Sequence, residues 1–120
     1  MTAYELGDVV AERRLECVAG DGTRTEVVIR FGSPHPDPLS TNGDWCCPHQ
    51  ILGLGKDDVG ASFGVDSLQA LLLSVYRVRL ELASRAAAAS VDLDWLGLPE
   101  LGLTVAPIPH TGPPPQPSGT

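Results

Sequence analysis

Leu68, Leu71, Val75, Val78 and Leu82 follow one another at spacings of three, four, three and four residues. That period sets them on one stripe of an α-helix, and it predicts a helix over residues 67–89. It is the one long helical pattern in the chain. The stripe is expected to cover a sheet, and the helix could also contact a second element or a second subunit. Asp66 stands at the N-cap, with Gln69 three residues later in a capping-box arrangement, and its charge suits the positive end of the helix dipole. Leu72 and Tyr76 widen the stripe and Leu73 and Leu80 lie to its side, so the helix has more apolar surface than a narrow seam requires. Arg77, Glu81 and Arg85 mark its wet side.

The sheet is expected upstream. Residues Val9 to Val18 and Thr25 to Phe31 read as strands on either side of Ala19-Gly20-Asp21-Gly22-Thr23, whose Asp-Gly pair is a strong hairpin signal. In the second strand Thr25, Val27, Ile29 and Phe31 alternate with a mainly polar face broken by Val28. Gly32 to Gly43, with prolines at 34, 36 and 38, reads as a turn-rich loop. Asp44 to Leu54 is expected to form a third strand, with Pro48 at an edge or a bulge. Lys56 to Gly64 reads as a polar link with a short helical turn near Asp58 to Phe63. Val91 to Leu96 alternates as a short strand or extended tail. The expected fold is α+β: a three-stranded antiparallel sheet packed against one long C-terminal helix, in a single domain over 1–106. Residues 107–120, rich in proline and glycine, are expected to be disordered.

Charge and composition exclude several functions. Fifteen acidic against eight basic residues give a net charge of −7, and the arginines are scattered, so nucleic-acid binding is not expected. The start of the chain carries no signal-peptide pattern, and no apolar run is long enough to cross a bilayer. Three cysteines, two of them adjacent, suit free thiols in a reducing cytoplasm better than a disulfide framework. Aromatic residues are only 5% of the chain, so the core is expected to be built mainly from Leu, Val and Ala.

Asp44-Trp45-Cys46-Cys47-Pro48-His49-Gln50 concentrates the side chains capable of chemistry. Adjacent cysteines on a strand point to opposite faces, and the spacing departs from the paired ligands of a zinc site. No metal and no cofactor is expected. Cys47 and His49 would share a strand face two residues apart, with Asp44 available to orient an imidazole, which makes these three the catalytic candidates. His35, Trp45 and Gln50 are the candidate ligand-binding residues around them. The acidic pairs Asp57-Asp58 and Asp92-Asp94 lack the further ligands of a calcium loop.

Two resemblances bear on function. Gly64-Val65-Asp66-Ser67-Leu68 resembles the attachment motif of phosphopantetheine carrier domains and would make Ser67 the modified serine, but carriers are all-helical and this chain is rich in strand signals. More broadly, Ala11-Glu12-Arg13, then Gly43-Asp44-Trp45-x-Cys47-Pro48-x-Gln50-Ile51-x-Gly53-Leu54-Gly55, then Gly64 to Leu71 resemble a family of small bacterial domains of unknown function, over about residues 9 to 97. That resemblance implies no mechanism; it does imply that the helix entrance belongs to this pattern rather than to a carrier. The leading expectation is a small cytoplasmic, non-enzymatic protein-interaction or accessory module, immunity- or antitoxin-like in one version. It would bind another protein or itself as a homodimer. A small enzyme or ligand binder with its site around Asp44–Gln50 is the rival.

Overall fold

The computed structural model describes residues 4–104; the tail expected over 107–120 lies outside them. β1 (Val9–Val18) and β2 (Arg24–Gly32) form an antiparallel hairpin. Its turn places Gly22 at φ 87°, a left-handed conformation that glycine adopts without steric cost. β3 (His35–Pro36) and β4 (Trp45–Leu52) follow, then β5 (Val59–Gly64), α1 (Ser67–Ala89) and β6 (Asp92–Asp94).

Among the described residues the sheet therefore has six strands, all antiparallel, and not the three expected. β3 is a continuation of β2: Phe31 lies opposite His49 and His35 opposite Cys46, so the two strands run along β4 one residue out of step. Pro48 falls opposite that break, where the ladder is already interrupted. β5 pairs with the other side of β4, Gln50 with Val59 through Trp45 with Gly64. It occupies the stretch expected to be a polar link, and the reason it was hidden is the helix above it. The β5 residues beneath α1 are Gly60, Ser62 and Gly64 instead of large apolar ones. A Cβ on Gly64 would stand 2.6 Å from the backbone N of Ala70, so only glycine lets the helix come down this close. β6, paired with Glu16–Val18 of β1, realises the short-strand expectation for 91–96.

α1 covers β4 and β5. Asp66 Oδ1 accepts from the Gln69 N–H at 2.8 Å, and Gln69 Oε1 accepts from the Val65 N–H at 2.8 Å, so two donors at the helix entrance are satisfied. The helix's buried row is Ala70, Ser74, Val78 and Leu82. This row is rotated from the expected stripe toward small residues, because small residues on β5 meet small residues on the helix. Leu68, first in the expected stripe, is 60% exposed.

Leu15, Val27, Ile29, Ile51, Val78 and Leu82 form the centre of the core and are nearly or fully inaccessible; each contributes roughly 1.5–3 kcal/mol by leaving water. The segment after α1 closes the core on the β1 side. Arg13 donates to the carbonyls of Leu101 and Gly102 at 2.9 and 3.0 Å, and its guanidinium lies 3.9 Å over the Trp95 ring. Leu103 is buried behind it. The other face of the β1–β2 hairpin carries Arg14–Glu26 at 2.8 Å, Arg30–Glu12 at 2.9 Å and an Arg24–Glu16 pair. Such exposed pairs add little stability, but they keep that face wet.

Candidate functional site

β4 lies inside the sheet, between β5 on one side and β2 and β3 on the other, and carries most of the chemically capable side chains, so its neighbours decide what each can do. The sequence pairs Cys47 with His49; the structure separates them. The His49 ring, 2% exposed, is committed to the helix. Its Nδ1 lies 3.0 Å from Ser74 Oγ, and Ser74 Oγ donates to the Cys47 carbonyl at 3.3 Å. With the hydroxyl proton on that carbonyl, Nδ1–H is the donor to Ser74. Nε2 is then a buried nitrogen without a hydrogen-bond partner, 3.8 Å from Glu81 Oε1 and only 2.7 Å from where a Cβ on Gly60 would stand. Glu81 is itself held by Arg77 and Arg85 at 3.1 and 3.2 Å. Burial pushes the His49 pKa down, against the nearby Glu81 carboxylate, which pulls it up. Ser, His and Glu are thus brought together, but Ser74 is fully inaccessible, so the arrangement ties α1 to β4 rather than presenting a nucleophile.

Cys47 Sγ lies 3.5 Å from the Gly32 carbonyl, and burial pushes its thiol pKa up. The cysteine that does meet an imidazole is Cys46, whose Sγ is 3.2 Å from His35 Nε2. His35 Nδ1 is 3.0 Å from the Ser33 carbonyl, which makes Nδ1 the protonated nitrogen and Nε2 the acceptor of the thiol proton. A thiol and a base at this distance are the parts of a nucleophilic pair. Yet Cys46 is fully buried. Burial first, then the Asp37 carboxylate and Cys47, push its thiol pKa up, away from the reactive thiolate. Tyr4 donates to Asp37 Oδ1 at 3.2 Å and packs edge-on against Phe63 with centroids 5.5 Å apart.

The other candidates serve loops. Asp44 accepts from Ser40 Oγ at 3.1 Å and, through its backbone carbonyl, from the Asp37 N–H at 2.8 Å; it orients neither histidine. Gln50 donates to the Asp57 carbonyl at 2.7 Å, and Trp45 is half-buried between Pro36 and Gly64. Ser67 is exposed at the first residue of α1, but on a sheet rather than in the all-helical bundle of a carrier. Sequence reasoning missed Ser74, Glu81, Asp37 and Tyr4 as partners. Ser74 had a signal: it is the polar member of the row Ala70, Ser74, Val78, Leu82.

Among the described residues no group of three or more His, Cys, Asp or Glu side chains is placed to hold a metal ion, and no helix is long and apolar enough to cross a membrane. Two grooves flank α1 on its β1 side. One, about 400 Å³, lies against the 91–104 segment and includes Arg79, Ala83 and Leu101. The other, about 310 Å³, includes Leu71, Leu72 and Val75 with Ala11 and Phe31. Neither is lined by a cysteine or histidine. Apolar surface also stands open on the outer arc of α1, where Leu68, Leu72, Leu73, Tyr76 and Leu80 are all 40–60% exposed. At about 100° per residue these five span an arc of roughly 140° facing away from the sheet.

A family model of a domain of unknown function, DUF6968, matches residues 11–105. Comparison with the curated proteins finds no match, and comparison with the solved structures finds none.

Proposed function

The chain belongs to the DUF6968 family, and we propose that it is a non-enzymatic protein-interaction module that binds through the outer arc of α1 and the adjoining edge of the sheet. The observation that carries this reading is the contrast between two sets of residues. Cys46, Cys47, His49 and Ser74, the side chains capable of nucleophilic or acid–base chemistry along β4 and beneath α1, are buried; Cys46 is bonded to the half-buried His35, and the other three to one another or to backbone. Five large apolar side chains stand exposed on one side of the helix, with the Arg79 guanidinium over the Tyr76 ring among them, and exposed apolar surface of this kind marks association sites. The reading places the protein in the cytoplasm, where three buried free thiols would stay reduced. An immunity- or antitoxin-like role, with an acidic module capping a basic partner, is one form of it.

Photo-cross-linking in the native cell tests the proposal. A photo-reactive residue in place of Leu80 should form an adduct with a protein, either another chain or a second copy. The same residue in place of Arg14, on the ion-paired face, should not. Absence of any adduct at Leu80, or equal adducts at both positions, would count against an interaction module.

A further inference from the structure

The proposed face includes a strand whose hydrogen-bonding capacity is half used. Among the described residues β5 pairs with β4 alone, so its outer edge presents N–H and C=O groups. Edges of this kind are normally guarded by lysine, proline or an inward-pointing charge, and Val59-Gly60-Ala61-Ser62-Phe63-Gly64 has none of these. We infer that this edge pairs with the same edge of a second copy, antiparallel, across a two-fold axis at Ala61. The two sheets then become one, and the two α1 helices pack side by side above the seam. The inference rests on the interaction reading and names its partner.

Register supports it first. An axis at Ala61 sets Val59 opposite Phe63 of the second copy, twice. Aromatic and β-branched residues make favourable cross-strand pairs, and Phe63 is 41% exposed in the single chain. On the helix side Gly60 meets Ser62, and neither obstructs the approach.

The helix supports it independently. α1 runs back along β5 from the close contact of Gly64 with Ala70 to Arg85, which donates to the Leu54 and Lys56 carbonyls before β5 begins. Three strand residues, from Gly64 to Ala61, advance about 10 Å, which equals about seven helical residues. The axis therefore lies level with residue 77, midway between Leu73 and Leu80. Antiparallel helices related by it set Leu73 of one copy opposite Leu80 of the other. Leu71 and Val75 line the groove toward β1, so Leu73 and Leu80 rise on the opposite flank, above the β5 edge, 41% and 48% exposed. Arg77, nearest the axis, is paired with Glu81 at 3.1 Å, a carboxylate it shares with Arg85.

Spacing closes the geometry. A helix seated over β4 and β5 lies two strand spacings, about 10 Å, from its symmetry mate. That is the distance at which helices pack, about 8–10 Å. One symmetry operation thus pairs the open edge and brings the outlying leucines together.

Sedimentation velocity of the full chain from about 1 to about 100 μM tests this, with amide hydrogen exchange beside it. The expected result is a dimer, with the Val59–Gly64 amides gaining protection as concentration rises. Ala61→Lys sets like charges across the axis, and Leu73→Glu with Leu80→Glu removes the helix contact. Each should weaken dimerisation at least about tenfold, while Leu96→Glu, 80% exposed next to β6 at the far edge of the sheet, leaves it unchanged. Should Ala61→Lys fail to fold, the exposed helix pair carries the test. A chain that stays monomeric, or a dimer broken by Leu96→Glu and not by the Leu73/Leu80 pair, overturns the inference. If the monomeric chain still captures a different protein through a probe at Leu80, this partner falls and the interaction reading stands; no adduct at all removes both.

Discussion

Ser74→Ala should cost more stability than removing one serine hydroxyl from a protein surface, because it orphans two buried groups at once. Ser74 is fully buried, accepts from His49 and donates to the Cys47 carbonyl. A buried polar group left without a partner costs about 1–3 kcal/mol, so the variant should lose about 3 kcal/mol once the site relaxes. His49→Leu in the same chain replaces the imidazole with an apolar side chain that needs no partner. The double variant should then be less destabilised than the sum of the single ones, with a coupling of about 1–2 kcal/mol. The same residue makes stability depend on pH. Burial holds the folded-state pKa of His49 below its ordinary 6.5, so the unfolded chain takes up the proton first as pH falls. Stability from this group is complete above pH 6.5 and is lost as pH drops below it, with a slope of at most about 1.4 kcal/mol per pH unit for one proton. Urea unfolding followed by circular dichroism, at one protein concentration and at about pH 7.5 and 5.5, measures both effects. Strictly additive penalties, or an acid slope unchanged in His49→Leu, would refute the argument that this imidazole is held neutral and bonded in the core.

Three further outcomes follow from the fold. Gly64→Ala should destabilise by about 1–3 kcal/mol, since its Cβ would meet the helix backbone at Ala70; unchanged thermal unfolding would show that α1 sits less tightly on β5. In the native state at neutral pH, Cys46 and Cys47 should resist alkylation, because burial both hides them and raises their pKa values, and they should label fully in denaturant; rapid native labelling would contradict the buried placement. Arg13→Leu should release the segment over 99–104, read as faster amide exchange there, because the carbonyl clamp on Leu101 and Gly102 is lost.

Locally encoded features were legible in the sequence. The β1–β2 hairpin follows from alternation and the Asp-Gly turn, and α1 from its period and its Asp66 cap, because each rests on residues close along the chain. β5 was not legible: its inward positions are small only because a helix packs on them, and that contact joins β5 to residues beyond its own end. The site shows the same division. A group of reactive side chains between Asp44 and Gln50 can be read directly, but their pairing cannot. His49 lies two residues from Cys47, yet bonds to Ser74; Cys46 finds His35, eleven positions away, because β3 aligns beside β4. Which face of the helix is buried was likewise settled by the sheet, whose small residues admit Ala70 and Ser74 and leave Leu68 outside. The sequence alone determined that one long helix would cover antiparallel strands, since period and turn chemistry act over a few residues. Only the tertiary structure decided how many strands, which thiol meets which imidazole and where apolar surface stays open, since those depend on contacts between distant segments and on the volume left between them.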